Sequence, residues 1–165
     1  MTIHVQRSAL VAHPASHVFD VIEAAEHYPA FLPWCAGATV LERSDECVAA
    51  RIDVAWRGVR FSVTTRNPKR RPTWMGIGLQ DGPFRRFAGE WRLTPLSDWG
   101  CRVEFLLDAE FNASVLDPLA GPVLRQITAT LIDAFVARAD ATAPSPAAAV
   151  APSGPAPSPP PSTPT

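Results

Sequence analysis

Apolar and polar residues alternate through strand after strand between Ala38 and Phe111, and this constrains the fold more than any other property of the chain. Val48, Ala50, Ile52, Val54 and Trp56 alternate with Arg51, Asp53 and Arg57, and beyond the Gly58 turn Val59, Phe61, Val63 and Thr65 alternate with Arg60, Ser62, Thr64 and Arg66. Met75, Ile77 and Leu79, then Phe87, Gly89, Trp91 and Leu93, and finally Cys101, Val103, Phe105, Leu107, Ala109 and Phe111 continue the same period. Successive side chains of a strand point to opposite faces, so each segment has one apolar and one polar face. Short turns at Asp45-Glu46, Asp81-Gly82-Pro83-Phe84 and Ser97-Asp98-Trp99-Gly100 join them into an antiparallel sheet whose apolar face needs a cover. Asn67-Pro68-Lys69-Arg70-Arg71-Pro72 also reads as a polar turn.

The cover is supplied by the segment from about Asp117 to Arg138. Leu119, Val123, Ile127, Leu131 and Phe135 form a helical stripe, widened by Leu116, Ala120, Leu124, Ala134 and Ala137. Some twenty residues at about 1.5 Å each make a rod about 30 Å long, enough to cross a small domain. Ser114 with Asp117 resembles a capping box; Asp117 as N-cap with Pro118 at the first helical position explains the proline better and is preferred. Gly121-Pro122 then falls inside the helix and predicts a bend.

Ahead of the sheet, Ile3 to Ala12 reads as a strand stopped by His13-Pro14. Pro14 opens a short helix with Val18, Phe19, Val21, Ile22 and Ala25 on its apolar side. Tyr28-Pro29-Ala30-Phe31-Leu32-Pro33-Trp34-Cys35 holds an aromatic cluster between prolines that leave room for one helical turn at most. The whole is an α+β arrangement: a curved antiparallel sheet around a long C-terminal helix, with two short helices after the first strand.

One domain, 1–142, accounts for this pattern. The segment 143–165 holds half of the chain's 18 prolines and is otherwise Ala, Ser, Thr, Gly and Val, so it reads as a disordered tail. Cys35, Cys47 and Cys101 form no C-x-x-C pair and are expected to be reduced, in a cytoplasmic protein with no signal peptide or membrane span. The net charge is −1, yet Arg57, Arg60, Arg66, Lys69, Arg70, Arg71, Arg85 and Arg86 are 8 of the 15 basic residues. Such a field suits an anionic surface, with Lys69, Arg70, Arg71, Arg85 and Arg86 as docking residues at the inner face of the plasma membrane; a solvated arginine-rich face is the alternative.

Catalytic constellations are absent from the pattern. His4, His13, His17 and His27 have no partner at metal-ligand spacing and read as surface residues, and Asp53, Glu104, Asp108 and Glu110 sit on the solvent side of strands. The chain offers instead an apolar lining, with Gly89 between Phe87 and Trp91 leaving room or marking a bend. Either these residues are packed core, or they enclose a cavity suited to a long apolar molecule, lined by Phe31, Leu32, Trp34, Trp56, Phe61, Met75, Ile77, Trp91, Phe105, Leu119, Val123 and Ile127. A polyketide-cyclase-type enzyme would need polar groups inside, and the inward positions are nearly all apolar, so no enzymatic activity and no metal are expected.

Arg7-Ser8-Ala9-Leu10-Val11, Tyr28-Pro29-x-Phe31-Leu32-Pro33-Trp34-Cys35, Thr64-Thr65-Arg66-Asn67, Asp81-Gly82-Pro83-Phe84-Arg85 and Gly89-x-Trp91-x-Leu93 occur in this order. Together they resemble the coenzyme Q-binding START proteins, a family that includes the bacterial ribosome-association toxin RatA. The resemblance covers about residues 3 to 139. It implies a START-like helix-grip fold and non-enzymatic binding of ubiquinone or a similar polyprenyl lipid, in support of respiratory electron transport. For the toxin branch it implies binding to the large ribosomal subunit and a block of subunit association. No further cofactor and no DNA partner are implied. Gly121-Pro122 and the proline-rich tail depart from the family's pattern.

Overall fold

Seven strands form one antiparallel sheet in the computed structural model, which describes residues 2–143. They are β1 (Thr2–Val11), β2 (Cys35–Arg43), β3 (Cys47–Trp56), β4 (Val59–Arg70), β5 (Trp74–Asp81), β6 (Phe84–Ser97) and β7 (Gly100–Phe111). Their order is β1-β7-β6-β5-β4-β3-β2, so the first two strands are the edges and the rest is a meander. Helices α1 (Ala15–Glu23) and α2 (Tyr28–Phe31), with a 3₁₀ turn at Ala25–His27 between them, carry the chain from one edge to the other. The predicted tail lies outside the described residues except for Ala143.

The period-two pattern sets the faces as expected: Met75, Trp91, Leu93, Val103, Phe105 and Leu107 are buried on the inner face. Arg57 and Gly58, at φ of 50° and 84°, make the two-residue β3–β4 turn, whose positive φ values match the twist of the strands they join. Gly89 marks a bend. A Cβ there would stand 2.2 Å from the Leu106 carbonyl oxygen and 3.2 Å from the Leu107 Cα, so β6 and β7 are pinched together at the one inner-face position without a side chain.

The long helix, α3 (Ala120–Thr142), differs at both ends from the expected span. Leu119, not Asp117, is its N-cap, while Asp117 makes a local turn in which its Oδ1 accepts the Leu119 N–H at 2.9 Å. Pro122 therefore sits in the first turn, where no intrahelical acceptor requires its missing N–H, and the proline that predicted a bend is accommodated at the helix start. Leu116 and Leu119, expected on the buried stripe, are instead 89% and 52% exposed on the approach to the helix. Likewise Pro14 is the N-cap of α1, with extended backbone (φ −58°, ψ 147°), and not its first helical residue.

β4 runs on through the segment read as a polar turn. Its inner face continues Val59, Phe61, Val63, Thr65, Asn67, Lys69, passing Pro68 where the β4–β5 pairing is interrupted between Arg66↔Gly78 and Lys69↔Met75. Gly76 makes this tolerable: any Cβ there would meet Pro68 Cγ at 3.3 Å and the Trp74 ring at 2.9 Å.

Candidate functional site

Between the sheet and α3 lies a cavity of about 140 Å³. The β3–β4 side contributes Ile52, Val54, Phe61, Val63, Thr65 and Asn67; β5 to β7 contribute Met75, Ile77, Phe87, Trp91, Phe105 and Leu107. Leu124, Ile127, Thr128, Leu131 and Phe135 of α3 form the opposite wall, and Tyr28, Leu32 and Trp34 close one side. Trp91 is fixed by Phe105 and Phe135, with ring centroids 4.7 and 5.1 Å away. Cavities of about 150 Å³ lined by aliphatic and aromatic side chains stay dry and take up benzene, whereas drug-sized ligands fill about 300–1,000 Å³. The hollow thus holds one ring or a short branched chain; the long molecule expected from sequence does not fit in it whole.

Eight of the residues expected to line a cavity do so: Leu32, Trp34, Phe61, Met75, Ile77, Trp91, Phe105 and Ile127. Four do not. Trp56 and Val123 pack with Val54, Val59 and Ala120 in a second cluster beneath the start of α3, where the Trp56 indole N–H is buried without a partner. Leu119 is exposed. Phe31 packs edge-on against Tyr28 and Phe135 and faces a separate groove, where the Arg138 guanidinium lies 5.3 Å from its ring centre.

The wall is mostly apolar, with polar groups on Tyr28, Thr65, Asn67 and Thr128. Tyr28 and Thr128 are internally satisfied: the phenol donates to the Ile22 carbonyl, and the Thr128 hydroxyl donates to the Leu124 carbonyl at 2.8 Å. Burial holds the Tyr28 hydroxyl far above its ordinary pKa, so it stays protonated. Thr65 and Asn67 are the remaining polar side chains, and the Asn67 Oδ1 is buried with no hydrogen-bond partner. Thr65 stands on the inner-face alternation read from the sequence, whereas Asn67 was missed because 67–72 was assigned to a turn. Continuation of the inner-face alternation of β4 beyond Thr65 was the signal that would have found Asn67. No carboxylate, imidazole, amine or thiol lines this cavity.

Of the expected docking residues, Lys69 is withdrawn from the surface, while Arg70, Arg71, Arg85 and Arg86 stay exposed. Lys69 points inward, its side chain 2% exposed, and pairs with Glu23 of α1. Arg71 pairs with both Glu23 and Asp20, so these two cations clamp α1 to the β4–β5 end of the sheet. Burial would push the Glu23 carboxyl up, but the hydrogen bonds from Lys69 and Arg71 outweigh it and hold the group below its ordinary value. Arg70 stacks over Trp74 at 5.2 Å, and Arg85 stands 3.9 Å from Glu110. Among the described residues Arg86, Arg57 and Arg60 make no ion pair. Of the four histidines, His13 and His17 are not simple surface residues: they bond Asp140 at 2.6 Å and the Ala139 carbonyl at 2.9 Å, tying α1 to the end of α3. No group of metal-ligating side chains occurs among the described residues, and no helix there is long and apolar enough to cross a membrane. The three cysteines are free and buried.

Residues 11–136 match the family described as polyketide cyclase / dehydrase and lipid transport. The chain belongs to that family. Within it, the chain is similar to curated relatives named ribosome association toxin RatA. That of Escherichia coli is 36% identical over 135 residues, 82% of this chain and 85% of the relative. That of Vibrio cholerae is also 36% identical, over 82% of this chain and 94% of the relative. Among solved structures, an aromatase/cyclase of Streptomyces sp. R1128 superposes with a TM-score of 0.73 at 20% identity, over 85% of this chain and 94% of that one. An 18 kDa protein of Caulobacter crescentus superposes with a TM-score of 0.66 at 26% identity, over 84% and 97%. The fold is the START-like one of the polyketide cyclase family: a curved antiparallel sheet closed by a long C-terminal helix.

Proposed function

We propose that this chain binds, without catalysing a reaction, the head and first prenyl carbons of a polyprenyl quinone such as ubiquinone, in support of respiratory electron transport. The observation that carries this reading is the apolar cavity under α3, large enough for one substituted ring and free of carboxylate, imidazole, amine and thiol groups. Acyl or aldol chemistry needs a positioned acid or base, and the one titratable group in the wall, Tyr28, is locked as a donor to a backbone carbonyl. The inner face of β4 grades from Val59 and Phe61 to Thr65 and Asn67, which orients an amphiphile with its polar head toward Asn67 and its apolar carbons toward Phe61. The protein would work in the cytoplasm, meeting the membrane only peripherally.

Isothermal titration with a short-chain ubiquinone tests this. Saturable binding with a negative heat-capacity change is expected, because apolar surface leaves water. Absence of saturable binding at concentrations approaching millimolar overturns the reading.

A second reading, binding to the large ribosomal subunit with a block of subunit association, is favoured by the names of the relatives at 36% identity. Arg57, Arg60 and Arg86 are available for phosphate oxygens. It predicts cosedimentation with ribosomal subunits that weakens steeply with salt. If none occurs at low salt, this second reading fails.

A further inference from the structure

We propose that the end of the domain built from the β3–β4 turn, the β5–β6 turn and residues 112–119 docks on an anionic phospholipid bilayer, with Leu116 and Leu119 entering the lipid and Arg57, Arg60, Arg85 and Arg86 meeting its phosphates. This adds to the cavity-binding reading the surface by which the chain reaches lipid, and rests on that reading only for the reason to visit a membrane.

Three sets of contacts bring these loops together. The Asn112 N–H donates to the Pro83 carbonyl at 2.9 Å, tying the segment after β7 to the β5–β6 turn. Val115 and Trp56 pack on Ala120 and Val123, which sets the same segment beside the β3–β4 turn. Phe61, Phe84 and Phe111 join β4, β6 and β7 just below, with ring centroids 4.5 to 5.6 Å apart. On this frame Leu116 is the most exposed large apolar side chain among the described residues, and Leu119, three positions on, is also exposed. Neither contributes to the core, and each gains on leaving water for lipid what a leucine gains on burial.

The charge around the two leucines is positive. Arg57, Arg60, Arg85, Arg86 and Arg125 are exposed at this end, and its carboxylates are Asp81, Glu110 and Asp117. Glu110 stands 3.9 Å from Arg85, and Asp117 is turned back to accept the Leu119 N–H. Among the described residues Arg57, Arg60, Arg86 and Arg125 make no ion pair. The Arg57 guanidinium lies over the Trp56 ring, 5.9 Å from its centre, a ring and a cation of the kind that sit at headgroup level. A second copy of the chain would set these arginines against their own like. RNA would use the arginines and leave both leucines in water. The opposite end of β6 and β7 exposes Leu96 and Trp99, but Asp98 stands between them in the turn, where an anionic surface repels it. Lys69, Arg70 and Arg71 lie at the far end of β5 from Arg85 and Arg86, so the residues expected to dock as one patch are divided between two ends of the sheet.

The test mixes the full chain with vesicles of phosphatidylcholine alone or in equal mixture with phosphatidylglycerol, and reads binding by cosedimentation. Salt-sensitive binding to the mixed vesicles is expected, at least tenfold stronger than to phosphatidylcholine alone. Leu116→Ser with Leu119→Ser should lower the partition coefficient at least tenfold, and serine suits the helix N-cap at 119. Arg57→Asn with Arg86→Gln should lower it about tenfold at low salt, asparagine being tolerated at the positive φ of position 57. Trp99→Ser should leave it unchanged. No binding to either vesicle, binding indifferent to the leucine changes, or an equal loss in Trp99→Ser overturns the proposal. So does cosedimentation with ribosomal subunits in place of vesicles, lost in the arginine variant, which assigns this end to RNA. Titration of the leucine variant with short-chain ubiquinone separates the two claims: retained quinone affinity beside lost vesicle binding supports docking at this end, and quinone binding by a chain that ignores vesicles overturns the docking surface while the cavity reading stands.

Discussion

Replacing Val63 by Phe should make the protein more stable and at the same time unable to bind its ligand. Val63 is buried on the inner face of β4, between Phe61 and Thr65, and forms part of the cavity wall. At about 24 cal/mol for each Å³ left empty, a void of about 140 Å³ costs about 3 kcal/mol of folding free energy. The larger ring moves into that space and buries further apolar carbon at about 0.8 kcal/mol each, offset by about 1–3 kcal/mol of rotamer and packing strain. The net expectation is about 1 kcal/mol of added stability. Urea unfolding followed by circular dichroism reads this directly: with an m-value of about 2 kcal/mol/M, the midpoint should rise by about 0.5 M at unchanged m. Titration of the same preparation should show quinone affinity reduced at least tenfold. In a solidly packed core the same substitution destabilises by about 1–3 kcal/mol. A fall in the midpoint would therefore refute the claim that the space is open.

Glu23→Gln should cost about 3 kcal/mol, because it strands the inward-pointing Lys69, and Glu23→Gln combined with Lys69→Met should recover much of the loss; urea midpoints for the three variants check this. The Glu23 carboxyl is held below its ordinary value of 4.5, so its contribution to stability is fully present above that pH and is lost as pH falls through the lowered value. An acid titration of stability should show this loss, and Glu23→Gln should flatten that limb. Gly89→Ala should destabilise by about 3 kcal/mol, since its Cβ would stand 2.2 Å from the Leu106 carbonyl oxygen, and a thermal midpoint unchanged from the parent would contradict the pinch between β6 and β7.

Local periodicity made most of this architecture legible. The alternation from Val48 to Phe111 gave the strand faces, and the stripe from Val123 to Phe135 gave the helix that covers them. What went astray depended on partners distant in sequence. Lys69 looked like a surface cation because Glu23, which neutralises it, lies on a helix 46 residues earlier. Pro68 looked like a turn because the gap in the β4–β5 pairing and the bare Gly76 that admit it belong to another strand. Together these hid Asn67, whose side-chain oxygen is buried without a partner. Trp56 and Val123 have the right face but sit nearer the β3–β4 turn, and periodicity carries no information on how far along its axis a cavity extends. Leu119 fell from the stripe because the helix starts just after it, a boundary set by the Asp117 turn.

The most direct test of the central claim is native mass spectrometry of the full chain purified from its host, beside Val63→Phe prepared identically. The account predicts a noncovalent adduct with the mass of an isoprenoid quinone or quinol on the parent protein and its loss from the variant. Bare protein masses for both, or an adduct that survives the filling of the cavity, would contradict it.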